Sequence, residues 1–127
     1  MNSERKQSVL MVDDADSSRL LLRVLLSALG VEIIFEADNG ARAVEKFKEQ
    51  RPDLTLLDIN MPVMGGHEAL RLMLLENPGA HVVMLTAEGP TDAVDACLLA
   101  GARDSIRKDL APDKLKTRLD AALQNTK

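Results

Sequence analysis

Short apolar runs of strand length alternate along this chain with longer stretches in which apolar residues recur at helical spacing, and turn-forming residues separate the two. Five such pairs follow one another. The runs are Val9-Leu-Met-Val12, Val31-Glu-Ile-Ile-Phe35, Leu54-Thr-Leu-Leu57, Val82-Val-Met-Leu85 and the weaker Asp104-Ser-Ile-Arg107. The first, third and fourth are almost continuously apolar, as strands covered on both faces of a parallel sheet must be. The second alternates more and is expected at an edge.

After the first run, Arg19, Arg23 and Ser27 recur at every fourth position, while Leu21, Leu22, Leu25, Leu26 and Leu29 fill a broad opposite arc. This is an amphipathic helix, with Asp16 or Ser17 expected to cap its start and a left-handed Gly30 to end it. A second helix is expected over Gly40–Gln50, with Ala43, Val44 and Phe47 inward and Pro52 past its end. A third, over Gly66–Glu76, presents Ala69, Leu70, Met73 and Leu74 and is terminated by Asn77-Pro-Gly79. Val94, Cys97 and Leu98 outline a fourth between Pro90 and Gly101. The last opens at Pro112, a favoured first-turn position, and buries Leu115, Leu119, Ala122 and Leu123.

Strict alternation with parallel pairing requires right-handed crossovers, which place helices on both faces of the sheet. The expected fold is therefore α/β: a three-layer, doubly wound (βα)5 sandwich around a five-stranded parallel sheet in the flavodoxin-like order 2-1-3-4-5. The 127 residues suffice for one domain, with a core over about residues 8–124.

Composition narrows the function. The 20 acidic and 16 basic side chains are spread along the chain, so no block of one sign forms a nucleic-acid or membrane patch. Phe35 and Phe47 are the only aromatics, which argues against a surface that stacks bases. No stretch approaches the roughly 18 apolar residues of a membrane span. The start is polar, and the lone Cys97 excludes an internal disulfide, so a cytoplasmic location is expected.

The first run leads into Asp13-Asp14 and the third into Asp58, and the expected strand order sets these ends side by side at the switch point where ligands bind. Two unit charges ~4 Å apart at an effective dielectric of ~20 repel by about 4 kcal/mol, so a cation must compensate. Oxygen-only donors favour a hard octahedral ion, Mg²⁺ first and Mn²⁺ second. Thr86 and Lys108 end the fourth and fifth strands at the same crevice. A hydroxyl, an ammonium and a divalent ion around one Asp suit attack by its carboxylate on a phosphoryl group, because each counters charge on the transferred oxygens.

The strings Val12-Asp-Asp14, Leu57-Asp-Ile-Asn-Met-Pro62 with Gly65-Gly66, Leu85-Thr-Ala87 and Gly101-Ala-Arg-Asp-Ser-Ile-Arg-Lys108 resemble, in order and spacing, the marker motifs of bacterial response-regulator receiver domains of the chemotaxis type. The resemblance implies a two-component signalling switch that catalyses only its own phosphorylation and dephosphorylation. Asp58 matches the phosphoacceptor, fed by a sensor histidine kinase or phosphotransfer protein. Asp13 and Asp14 match the metal-binding acid pair, completed by Asp58 and the backbone carbonyl of Asn60. Thr86 and Lys108 match the hydroxyl and ammonium that bind the phosphoryl oxygens. Asn60 and Glu88 match the positions that tune its lifetime, and Ala87 is small, as the family prefers.

Two departures carry expectations of their own. Ser105 stands where the family carries Tyr or Phe, so the aromatic switch coupled to Thr86 is expected not to operate in its usual form. Asp109 replaces the usual proline after Lys108, so a cis peptide is not expected there, and its carboxylate is expected to draw Lys108 partly away. The output face is expected at helix 4, strand 5 and helix 5, around Arg107, Lys108, Lys114, Lys116 and Arg118. That face would meet a downstream protein, an output domain or a second copy, with no nucleic acid or membrane bound by the domain itself. Both a stand-alone receiver and a piece of a longer regulator fit.

Rival readings are a receiver-shaped interaction module that signals without phosphate, a haloacid dehalogenase-like phosphohydrolase and an FMN carrier. The phosphohydrolases need an acid two residues after the nucleophile, where Asn60 stands. The flavin reading lacks a phosphate loop after the first strand. His67 and His81 are expected at the surface, Met61 and Met64 partly exposed, and Cys97 buried as a small apolar group.

Overall fold

The alternating pattern becomes β1 Ser8–Val12, α1 Asp16–Ala28, β2 Ile33–Ala37, α2 Gly40–Gln50, β3 Leu54–Asp58, α3 Gly66–Glu76, β4 Val82–Thr86, α4 Asp92–Ala100, β5 Asp104–Arg107 and α5 Pro112–Gln124. These elements are taken from a computed structural model that describes residues 6–87 and 91–127. The expectations placed on Glu88 and Pro90 fall outside the described residues. The five strands are parallel, in the order β2-β1-β3-β4-β5.

Central strands β3 and β4 are buried along their whole length, as continuous apolar runs require, whereas edge strand β2 is buried only at Ala37. Alternate residues feed two cores. Leu10, Val12, Leu57, Val82 and Met84 pack with Ala43, Phe47, Leu70, Met73 and Cys97 of α2, α3 and α4. Val9, Met11, Leu56, Val83, Leu85 and Ile106 pack with Leu22, Leu26, Leu115 and Leu119 of α1 and α5. No helix among the described residues is long and apolar enough to cross a membrane.

Two local expectations are corrected. The second strand begins at Ile33 instead of Val31, because Val31 belongs to the end of α1. Gly30 at φ 92° donates to Ser27, Val31 donates to Leu26, and the Val31 side chain joins the core that holds Leu26. At the other end of α1, Ala15 is the N-cap and no side chain caps it; Asp16 is already in the first turn. The Ala15 amide itself donates to Asp13 Oδ1 at 2.9 Å, which fixes the turn into the helix, and the first-turn amides receive no side-chain cap.

Candidate functional site: an acidic crevice at the strand ends

Parallel register builds the site. Val12 pairs with Leu57 and Asp58 with Leu85, so the residue following β1 and the last residue of β3 emerge together at the carboxyl edge of the sheet. Asp13, Asp14 and Asp58 each bring a carboxylate oxygen within 4.8 Å of the others. Asp13 and Asp58 are buried, while Asp14 is exposed. Lys108, just past β5, reaches back across the sheet: its Nζ donates to Asp13 Oδ2 at 3.0 Å and to Asp58 Oδ2 at 3.1 Å. The Lys108 backbone is set by its amide bond to Thr86 O at 2.8 Å, which joins the ends of β4 and β5.

Electrostatics follow from burial. The Asp58 carboxyl is pushed above the usual carboxylate range, chiefly because its charge is desolvated; attraction to Lys108 offsets part of this, and repulsion from Asp13 and Asp14 adds to it. Burial alone would lower the Lys108 ammonium. Its hydrogen bonds and attraction to Asp13 and Asp58 outweigh that and raise it. Three oxygen donors with no sulfur or imidazole among them, two of them desolvated and mutually repelling, fit a hard divalent cation such as Mg²⁺.

The loop after β3 is held closely. Gly66 N donates to Ile59 O at 2.8 Å, and a Cβ on Gly66 would stand 2.2 Å from the Asp58 carbonyl oxygen, so only glycine lets α3 start this close to the strand end. Pro62, Val63 and Met64 form a γ-turn, with Met64 N bonded to Pro62 O at 2.7 Å and Val63 at φ 69°. Met64 O in turn accepts from Gly40 N at 3.1 Å, which ties the loop to α2. Met61 and Met64 are half-buried, as expected.

Thr86 is buried at the end of β4; Asn60 and Ala87 are exposed beside the crevice. Ser105 lies half-buried on β5 opposite Met84, and its carbonyl accepts from Arg118 Nη2 at 2.9 Å. Asp109 does not draw on Lys108. Both its oxygens are taken by Arg107, at 2.9 and 2.6 Å, because the guanidinium fork meets a carboxylate two residues away. Asp104 likewise pairs with Arg118 at 3.0 Å. Three of the five expected basic residues of the output face are thus engaged within the domain. No peptide bond among the described residues is cis. Cys97 is fully buried and burial pushes its thiol up; His67 is exposed and His81 half-buried.

In the sequence Arg19 stands only on the polar stripe of α1. In the structure its Nη1 donates to the Asp13 carbonyl oxygen at 2.6 Å and its Nε to Glu36 Oε1 at 3.1 Å, while Nη2 meets Asp16. Nothing in the sequence separates such an arginine from a solvated one, since Glu36 reaches it only through the pairing of β2 with β1.

A family model described as the response regulator receiver domain matches residues 9–120. The chain is 38% identical over 115 residues to the chemotaxis protein CheY of Bacillus subtilis, covering 91% of this chain and 96% of that one. It is 38% identical over 107 residues to the Thermotoga maritima CheY, covering 84% of this chain and 89% of the other. Among solved structures, the CheX–CheY–BeF3–Mg²⁺ complex from Borrelia burgdorferi contains a chain that superposes with a TM-score of 0.85. That chain is 33% identical, and the match covers 92% of this chain and 89% of that one.

Proposed function

The chain belongs to the response regulator receiver domain family, of the chemotaxis type, and from that premise we propose that it accepts a phosphoryl group on Asp58 from a phosphohistidine of a sensor kinase or phosphotransfer protein. The observation that carries this reading is the position of Lys108, whose ammonium bonds Asp58 and Asp13 at once inside a group of three carboxylates. In the transfer, an Asp58 oxygen attacks phosphorus, the P–N bond breaks, and the imidazole leaves with its electron pair and takes up a proton. Lys108 neutralises charge on the transferred oxygens, and the Thr86 hydroxyl at the end of β4 supplies a donor to them. Asp13, Asp14, Asp58 and the Asn60 carbonyl would hold Mg²⁺, or Mn²⁺, which supplies further positive charge to those oxygens. The Borrelia relative, solved with BeF3 and Mg²⁺ in a complex with CheX, supports both the ion and a protein partner.

Asn60 and Ala87, exposed beside the crevice, tune the phosphoryl lifetime together with Glu88. Output passes through α4, β5 and α5, where Leu98 and the 89% exposed Leu99 offer apolar contact to a downstream protein, an output domain or a second copy. Moving a two-state equilibrium from 1:99 to 99:1 requires about 5.5 kcal/mol of differential interaction. With Ser105 in place of an aromatic, the switch is partial. Incubation with Mg²⁺ and a small-molecule phosphodonor, followed by intact mass measurement, tests the reading. Wild type gains one phosphoryl group and Asp58→Asn gains none; equal labelling of the two overturns it.

A further inference from the structure

Of the three carboxylates in the crevice, only that of Asp14 makes no hydrogen bond among the described residues, although it stands within 4.8 Å of the other two. Asp13 is fixed at Oδ1 by the Ala15 amide and at Oδ2 by Lys108, and Asp58 is fixed by Lys108. With no side-chain bond among the described residues, the exposed Asp14 depends on its backbone for its position. The peptide that joins Asp13 to Asp14 is gripped at its carbonyl by Arg19 Nη1, at 2.6 Å.

Arg19 is built for a fixed position. Its side chain is 16% exposed, and its guanidinium spends separate donors on three acceptors: the Asp13 carbonyl, Glu36 and Asp16. Glu36 is engaged from its other side by Arg23, so the carboxylate that orients Arg19 is itself held. A cation beside a divalent-ion site ordinarily competes with the ion. Here Glu36 and Asp16 answer its charge, and the atom it bonds at the site is a neutral carbonyl oxygen, which leaves all three crevice carboxylates to other partners. Lys108 does the opposite, since it occupies the oxygens themselves.

We infer that Arg19, oriented by Glu36, is a positioning residue that fixes the Asp13–Asp14 peptide and thereby sets the divalent-ion affinity of Asp14. The inference rests on the divalent-ion reading of the crevice given above. Partners that orient metal ligands from behind typically contribute 10–100-fold in affinity.

The test is Mg²⁺ titration by calorimetry, with Mn²⁺ by electron paramagnetic resonance, on the metal-free full chain. Arg19→Gln is expected to weaken binding about tenfold. Arg19→Lys recovers part of the loss, because an ammonium still donates to the carbonyl but cannot reach Glu36 and Asp16 together. In an Asp14→Asn background Arg19→Gln costs nothing further, since the placement of that side chain no longer matters. The same loss in both backgrounds, which a general structural role predicts, overturns the inference, as does equal affinity of wild type and Arg19→Gln. If Arg19→Gln does not fold, Glu36→Gln takes its place, with a smaller loss expected that also vanishes with Asp14→Asn; unchanged affinity then overturns it. Wild type that binds no divalent ion removes the underlying reading instead, so the two failures are distinguishable.

Discussion

Lys108 Nζ donates to Asp58 Oδ2 at 3.1 Å, a bond between residues 50 apart in sequence that exists only because β3, β4 and β5 lie side by side. The same ammonium serves Asp13, so its removal leaves two buried carboxylates facing each other. Stripping one partner from a buried pair costs about 3–5 kcal/mol; with the Lys108 side chain 21% exposed, Lys108→Met is expected to cost about 2–3 kcal/mol without divalent ions. Urea denaturation measures it, and an unchanged midpoint would show that water already screens the pair.

The pH dependence has a definite sign. Burial, more than any neighbour, raises Asp58 above the usual carboxylate range, so the folded state holds this proton more tightly than the unfolded chain. The stability it contributes is full below the unfolded value, about pH 4, and is lost as pH rises through the folded one. Without metal, the melting temperature of Asp58→Asn should therefore gain on wild type as pH rises from about 4 to neutrality. A gap that narrows over that window contradicts desolvation as the dominant cause. The raised Lys108 works in the alkaline window: its contribution is full below its unfolded value and fades as pH climbs through the folded one.

The Mg²⁺ proposed for the crevice would draw on the Asp13 and Asp58 carboxylates that Lys108 also bonds. At a concentration of about 100 times Kd the ion should add about 2.7 kcal/mol to wild-type stability. Excess chelator should abolish the gain, and Asp14→Asn should shrink it; thermal melts with and without chelator read both.

Gly66→Ala should be costly and Gly79→Ala nearly silent. A Cβ at Gly66 meets the Asp58 carbonyl oxygen at 2.2 Å and Ile59 Cα at 2.8 Å, both backbone, whereas one at Gly79 meets only Asn77 Oδ1 at 3.5 Å. Overpacking of this kind costs about 1–3 kcal/mol. Denaturation midpoints of the two variants compare them directly, and because α3 must move away from the strand end, only Gly66→Ala should also lower phosphoryl labelling.

Thr55 lies on β3 with its hydroxyl buried and without a hydrogen-bond partner among the described residues. Thr55→Val replaces that hydroxyl by a methyl of similar shape. It is expected to stabilise the fold by about 1 kcal/mol, since an unmet buried hydroxyl carries its full desolvation cost. A lower melting temperature would mean that the hydroxyl is met by water.

Periodicity was enough for the framework because each helix and strand is decided by which of its own residues are apolar. The inward sets of α2 and α5, Ala43, Val44, Phe47 and Leu115, Leu119, Ala122, Leu123, are buried as their spacing requires. The edge position of β2 follows from its weaker run. Boundaries were less legible: Val31 reads as strand, yet its amide closes the end of α1 by donating to Leu26 O behind the left-handed Gly30.

The sequence by itself determined five strand–helix pairs and the carboxylates, hydroxyl and ammonium carried to the strand ends, because each element follows from its own apolar period; the order β2-β1-β3-β4-β5 was its simplest arrangement, and the pairing of the strands fixed it. Only the tertiary structure decided whom each charge faces. Lys108 turns to Asp13 and Asp58 while Asp109 is taken by Arg107, and Arg19 reaches the Asp13 carbonyl, because a charged side chain chooses among all acceptors within a few ångströms, and those neighbours are set by packing across strands that the chain visits far apart.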